Sequence, residues 1–276
     1  MNSTALERNW VSKMTKVKDI LDFLETVAPG YMKMEWDNVG LLCGDKDQCV
    51  TKVMVALDPF ESVCREAKDA NADLLLTHHP LIFQAPNAVT AQTELGRSIL
   101  FLAKNGISAV NAHTNLDCAP GGVNDVLADT LGLTDISVIA PVGTDQNGMP
   151  WGLLRQGTVQ EQSLADFLKI VKEKLGCNGL RYVDCSKTVH KVAVGGGSCG
   201  SELELAVQAG CDTFVTADVK YNQFFTAQEQ GLNIIDAGHF HTENPVCKVL
   251  AEKLQAAFPE IAVVLSQKHT DCVKFF

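Results

Sequence analysis

Apolar and polar positions are organised from the start of the chain. In KVKDILDFLETV (16–27), Val17, Ile20, Leu21, Phe23 and Leu24 fall at helical spacing, which predicts an amphipathic helix. Pro29-Gly30 stops it, and a turn-rich stretch containing Trp36-Asp37-Asn38-Val39-Gly40 follows. The pattern then changes to short, continuous apolar runs separated by amphipathic segments. Strands are predicted over 50–58, 72–77 and 107–112, with helices over 61–70 and 94–105 between them. Such alternation implies parallel β-α-β units.

The middle, about 134–190, is less regular. Residues 151–159 alternate like a strand, and SLADFLKIVKEKLG (163–176) predicts a helix with Ser163 as N-cap. The last third returns to the earlier rhythm, with strands over 191–197, 212–218, 233–238 and 261–266 and helices over 201–210, 221–231 and 244–257. The two halves can be laid over one another: Thr77 falls on Thr216, His79 on Asp218, His113 on His239 and Asp117 on Glu243. A common β-α-β rhythm alone would also produce such a match. The expected fold is α/β: two similar, interlocked α/β units, 1–133 and 134–276, with mixed, mainly parallel sheets. A shared site would then lie between the carboxyl ends of their strands, where open α/β sheets bind ligands.

The chemistry sits at those strand ends. Five of the seven histidines fall in three short segments, His78-His79, His113, and His239 with His241, each directly after an apolar strand. Two segments carry a carboxylate four residues after a histidine: His113…Asp117 and His239…Glu243. A lone histidine at a strand end is usually only a hydrogen-bonded loop residue. Three such clusters together point instead to a metal centre, since imidazole and carboxylate are the ligand set of zinc, iron, manganese and related ions. Pro80 predicts a turn that lets His78 and His79 converge. Five or more ligands are too many for one catalytic zinc, so two ions are expected, with Asp117 and Glu243 as the natural bridges. Asp37 and Asn38 are candidates to reach the site. The loop Gly195-Gly196-Gly197-Ser198-Cys199-Gly200 either cradles an anion on its amides or is a tightly packed turn.

Composition narrows the function classes. The formal net charge of −10 argues against a nucleic-acid binder, although bound metal can attract a small anionic substrate. Ten scattered cysteines form no CxxC pair, residues 1–16 carry mixed charge without an apolar core, and no apolar run reaches membrane-spanning length. The expected compartment is the reducing cytoplasm, with mostly buried free thiols and no membrane partner.

Six segments together resemble the NGG-interacting-factor-three-like family, whose bacterial members are often labelled GTP cyclohydrolase I type 2 homologues. They are EWDNVGLLCG (35–44), TKVMVALD (51–58), ADLLLTHHPLIF (72–83), NAHTNLDCAPGGVND (111–125), the GGGS turn and DAGHFHTE (236–243). The resemblance spans nearly the whole chain and fits the short form, without the domain that longer relatives insert between the halves. It implies a two-metal centre held by His78, His79, Asp117, His239 and Glu243, with His113 and His241 outside the ligand set. It also implies a ring-like homohexamer. Asn222 departs from a segment that ends in histidine in many relatives, which leaves a proton-shuttling role there unsupported. The function expected from the resemblance is that of a divalent-metal-dependent hydrolase acting on a nucleotide, a phosphoester or a cyclic amide. The alternative is a non-enzymatic metal carrier or interaction protein using the same ligands. The ligand types do not select the metal, because availability decides among several ions.

Overall fold

The computed structural model describes residues 14–276. Most of the N-terminal stretch read above for the absence of a leader, residues 1–13, lies outside the described residues.

The first part of the chain runs α1 (Val17–Val27), β1 (Gly40–Cys43), β2 (Lys52–Ala56), α2 (Glu61–Asp69), β3 (Leu74–Thr77), α3 (Glu94–Lys104), β4 (Ser108–Asn111), α4 (Thr114–Cys118) and α5 (Val123–Leu131). The second runs β5 (Thr134–Ile139), β6 (Gly143–Thr144), β7 (Pro150–Trp151), β8 (Leu154–Gln162), α6 (Leu164–Leu175), β9 (Arg181–Val183), β10 (Val189–Val194), α7 (Leu203–Gln208), β11 (Thr213–Thr216), α8 (Tyr221–Gln230), β12 (Asn233–Asp236), α9 (His239–Glu243), α10 (Pro245–Ala257) and β13 (Ala262–Leu265). Ser163 caps α6 as expected, its hydroxyl accepting the Asp166 amide.

Two large sheets form. The first has the order β1-β4-β3-β2-β13 and the second β5-β8-β10-β11-β12-β9. Within them, β1-β4-β3-β2 and β9-β12-β11-β10 share both order and sense: the last three strands of each are parallel and the edge strand is antiparallel. The Thr77–Thr216 correspondence holds in the hydrogen bonding, because the Thr77 carbonyl takes the Ala112 amide and the Thr216 carbonyl takes the Ala237 amide. The expectation of mainly parallel sheets fails in the second sheet, where three of five pairings (β5-β8, β8-β10, β9-β12) are antiparallel. Its outer strands come from the irregular middle of the chain, where β5 returns to β8 through the short β6-β7 ribbon without a crossover helix, and α6 carries the chain from β8 to the opposite edge strand β9. The chain also crosses back at its end, with β13 pairing in parallel with β2.

Both faces of each sheet are covered, which is why the strands read as continuous apolar runs. In the first sheet Val53, Val55, Leu74 and Leu76 pack with Ile20, Leu24, Leu250 and Leu254 of α1 and α10. Their neighbours Met54 and Leu75 pack oppositely, with Val63, Ala67 and Leu102 of α2 and α3. In the second sheet Val192, Val194, Val215 and Ile235 meet Phe167 and Val171 of α6, while Ala193, Phe214 and Ile234 meet Leu203 and Ala206 of α7. Each fully buried large apolar side chain contributes roughly 1.5–3 kcal/mol. Helix α5 goes beyond the expected elements. It presents Val123 and Val126 to the first core and Leu127, Ala128 and Leu131 to the second. Serving two cores blurs the single stripe of an amphipathic helix.

Candidate metal centre

The parallel strands β3 and β4 of the first sheet and β11 and β12 of the second deliver their carboxyl ends to one place. After β3 the chain turns: Thr77 Oγ1 donates to the His79 carbonyl at 2.7 Å, and the His79 amide donates to the Leu57 carbonyl at 2.9 Å. Both imidazoles then face the same side, with ring centroids 4.9 Å apart. After β4, His113 and α4 supply the next ring and Asp117. After β12, Gly238 at φ +85° turns the chain into α9. One turn of that helix sets His239 Nε2 2.9 Å from Glu243 Oε2.

Every histidine at the centre is held by its Nδ1 atom. His78 Nδ1 donates to the Ala112 carbonyl at 2.9 Å. His79 Nδ1 pairs with Asp58 at 2.7 Å, His113 Nδ1 with Asp37 at 2.8 Å, and His239 Nδ1 with Asp218 at 2.7 Å. A fixed Nδ1 sets the ring orientation and turns Nε2 toward the centre, as in metal-ligating imidazoles. His78 Nε2 lies 3.5 Å from Asp117 Oδ1 and 3.8 Å from Glu243 Oε2. Glu243 Oε2 lies 2.9 Å from both His79 Nε2 and His239 Nε2. These contacts are close, but His78 Nε2, Asp117 Oδ1 and Glu243 Oε2 are buried without a properly directed hydrogen-bond partner. Buried polar atoms are nearly always satisfied, and three orphans facing one another are costly unless something lies between them. The donor atoms of His78, Asp117 and Glu243 lie within 4.8 Å of one another, as do those of His79, His239 and Glu243, and those of His78, His79 and His113. A metal ion fits this donor set.

The charges are strongly coupled. Burial disfavours charge on the His79 and His239 rings, but the carboxylates around them win. Asp58 and Glu243 raise His79 to about 9, and Asp218 and Glu243 raise His239 to about 10. His78 has only a carbonyl behind it, and burial pushes it down to about 3. Burial and the neighbouring Glu243 push Asp117 well above the usual carboxylate range. Glu243 is held well below that range, because His239 and His79 outweigh its burial. In the absence of metal, protons therefore occupy part of the ligand set.

The remaining candidates separate. Asp37 is buried beneath His113 and also accepts the Thr114 amide at 3.0 Å. Asn38 points away, donating to the Ile82 carbonyl at 2.8 Å, and so pins a loop. His113 faces the centre, its ring 5.2 Å from His78 and 5.6 Å from His79. His241 turns outward, between the Leu175 carbonyl and Asp271. Asn222 is exposed in the first turn of α8. The glycine loop packs as a turn with most of its amides already engaged. The Gly195, Gly196, Gly197 and Cys199 amides are all spent on protein acceptors. A Cβ on Gly197 would sit 2.0 Å from Glu243 Oε1. Asp58 and Asp218 escaped the sequence reading as site residues. Asp58 follows an apolar strand just as the histidines do, and that position was the available signal.

Beside the centre lies a cavity of about 440 Å³, lined on one side by His79, His113, His239, Asp117 and Glu243. Its other side is aromatic and apolar: Trp36, Phe83, Met34 and Leu153. Trp36 and Phe83 are both more than half exposed and meet edge-on at 5.6 Å, with the His113 ring 6.2 Å from Trp36.

This arrangement has known relatives. Residues 15–272 match the Duf34/NIF3 (NGG1p interacting factor 3) family. The chain belongs to the Duf34/NIF3 family. Among its Duf34/NIF3 relatives, proteins called "GTP cyclohydrolase 1 type 2 homolog" from Clostridium perfringens and Clostridium acetobutylicum are 37% and 35% identical to it. Each alignment covers 94% of this chain and 99% or 98% of the relative. A Bacillus cereus protein related to NIF3 superposes with a TM-score of 0.90 at 26% identity, over 96% of this chain and all of that one. A Staphylococcus aureus hypothetical protein superposes with a TM-score of 0.86 at 30% identity, over 96% of this chain and all of that one. No described helix of this Duf34/NIF3 chain is long and apolar enough to cross a membrane.

Proposed function

We propose that this protein is a dinuclear, divalent-metal-dependent hydrolase whose ligands are His78, His79, Asp117, His239 and Glu243. The observation that carries the reading is the trio of orphaned buried atoms, His78 Nε2, Asp117 Oδ1 and Glu243 Oε2, beside a second donor group that shares Glu243. Two overlapping groups suit two ions with a carboxylate in common. When bound, such ions supply Lewis acidity and activate water for attack on a substrate.

The residues around the ligands fit a hydrolytic role. Trp36 and Phe83 offer aromatic surface to a planar ring, which favours a nucleotide over a simple phosphoester. His113, held at Nδ1 by Asp37, is placed to pass a proton at Nε2 to a group in the cavity. The relatives' name, GTP cyclohydrolase 1 type 2 homolog, agrees with a nucleotide substrate. Metal-loaded protein screened against nucleotides and phosphoesters tests this: turnover that disappears with chelator and returns with zinc, iron or manganese is expected.

One observation favours a metal carrier as the second reading. The His239 side chain is 36% exposed, so one end of the centre is open to an acceptor. Retained metal that passes to an apo-acceptor, with no turnover of any compound in the screen, would favour it. We further propose assembly into a homohexamer. Tyr221 and Phe225, 80% and 51% exposed and in edge-on contact, supply apolar surface for it. Light scattering should then give a mass several times 29.8 kDa.

A further inference from the structure

We propose that the C-terminal segment 266–271 is a clasp that positions the metal centre, with His269 acting through Asp58 on His79. The inference rests on the metal reading above, and it assigns a role to residues remote in sequence from every motif.

The topology brings the segment there. Because β13 pairs in parallel with β2, with Leu265 opposite Val55, the chain leaving β13 runs beside the chain leaving β2. That chain carries Asp58. A buried carboxylate on α2 fixes the path: Glu66 accepts the Ser266 hydroxyl, the Gln267 amide at 2.8 Å and the Lys268 amide at 3.3 Å. The His269 amide closes the turn on Ser266 Oγ at 3.2 Å. The His269 ring is 7% exposed and sits against Phe240 and Phe60, with centroids 5.1 and 5.6 Å away.

So placed, His269 Nε2 meets Asp58 Oδ2 at 2.7 Å, while the other oxygen of the same carboxylate holds His79 Nδ1 at 2.7 Å. Asp58 alone is an exit-loop side chain with rotational freedom. With one oxygen engaged by a ring that packing has immobilised, its second oxygen has a fixed direction, and so has His79. Two residues further on, Asp271 receives His241 Nε2 at 3.1 Å and ties the same segment to α9, which carries His239 and Glu243. The segment thus touches the supports of ligands from both sheets. Partners that orient a ligand typically change metal affinity 10–100-fold when removed.

The test is zinc affinity of the full chain, stripped of metal and titrated against a chromophoric chelator, with thermal melting of the metal-free protein alongside. His269→Ala should weaken zinc binding about tenfold or more. His269→Gln, which retains an N–H donor at the end of a side chain, should recover most of that loss. Asp58→Asn should weaken binding too, and the double variant should be little worse than Asp58→Asn alone, because both changes act through one carboxylate. Wild-type affinity in His269→Ala would overturn the clasp. So would additive losses in the double variant, or equal losses in His269→Ala and His269→Gln that follow a common drop in melting temperature. Failure of the wild-type chain itself to bind zinc, iron or manganese would overturn the metal reading, and the clasp with it.

Discussion

His79 and His239 hang from different sheets, yet their Nε2 atoms lie 3.3 Å apart and each lies 2.9 Å from Glu243 Oε2. The same oxygen faces His78 Nε2 at 3.8 Å. Glu243 is therefore the residue common to both sheets' contributions. Glu243→Gln keeps the size but loses the charge and one anionic oxygen, so on the proposed two-ion reading it should remove at least one ion. His241→Ala removes no proposed ligand, only the tie to Asp271, and should leave metal content largely intact while weakening affinity. Elemental analysis of the two variants, purified without chelator, reads this directly. Full metal in Glu243→Gln with loss in His241→Ala would require the ligand set to be redrawn.

Gly197 and Gly132 both have positive φ, +63° and +79°, but differ in surroundings. Around Gly132 a Cβ meets nothing within 4 Å, whereas at Gly197 it meets Glu243 Oε1 at 2.0 Å and His239 Nε2 at 3.1 Å. Gly132→Ala should cost about 1 kcal/mol, from backbone conformation alone. Gly197→Ala adds a clash worth roughly 1–3 kcal/mol more, and it displaces the Glu243 carboxylate. Urea denaturation should separate the two variants, and only Gly197→Ala should lose metal.

These contrasts mark what was legible in the sequence. Apolar runs ending in histidine placed His78, His79, His113 and His239 at strand ends, and those strands do converge. The spacing of His239 and Glu243 anticipated one helical face. The matching strand-end positions of Thr77 and Thr216 were visible because parallel strands buried on both faces leave unbroken apolar signatures. Edge and bridging elements were not visible. The four residues of β1 are all half-buried and bulged, so they carry no alternation. The supports Asp58, Asp218 and His269 were hidden for another reason. Asp58 and Asp218 do end apolar strands, but which imidazole a carboxylate holds is set by a distance between chain segments, up to 211 residues apart for His269 and Asp58, and local pattern does not encode that.

Arg155 offers a test away from the donor cluster. It is fully buried and forks onto Asp125, with Nε to Oδ1 at 2.7 Å and Nη2 to Oδ2 at 3.0 Å. It also donates to the Gly152, Cys118 and Ala119 carbonyls. Arg155→Met fills the space but leaves the Asp125 carboxylate with the Gly121 amide and no counter-charge, and takes one donor each from the Cys118 and Ala119 carbonyls. Removing one partner of a buried pair costs about 3–5 kcal/mol, and the 21% exposure of the Asp125 side chain puts this case near the lower end. A drop of roughly 3 kcal/mol in unfolding free energy is expected, and a change under about 1 kcal/mol, within the range of exposed pairs, would contradict it.

The protons on the ligands predict how binding responds to pH. His79 and His239 titrate at about 9 and about 10 in the folded, metal-free chain, against 6.5 ordinarily. The pair is therefore biased toward the charged form at neutral pH, and a protonated imidazole has no lone pair to give. Metal uptake must expel these protons, so apparent affinity should climb with pH up to about 9–10. With one to two protons released, the climb is about 10- to 100-fold per pH unit. Stability of the metal-free chain should move the other way. A raised folded pKa gives stability that is fully present below 6.5 and lost as pH rises through 9 to 10. Melting temperature without metal should accordingly fall between pH 7 and 10, and saturating zinc should remove the fall. Proton release can be followed with an indicator dye in weakly buffered solution at pH 7. Release near zero, together with an affinity flat across pH 6 to 9, would show that the two imidazoles are unprotonated before metal arrives, and that Asp58, Asp218 and Glu243 orient the rings without charging them.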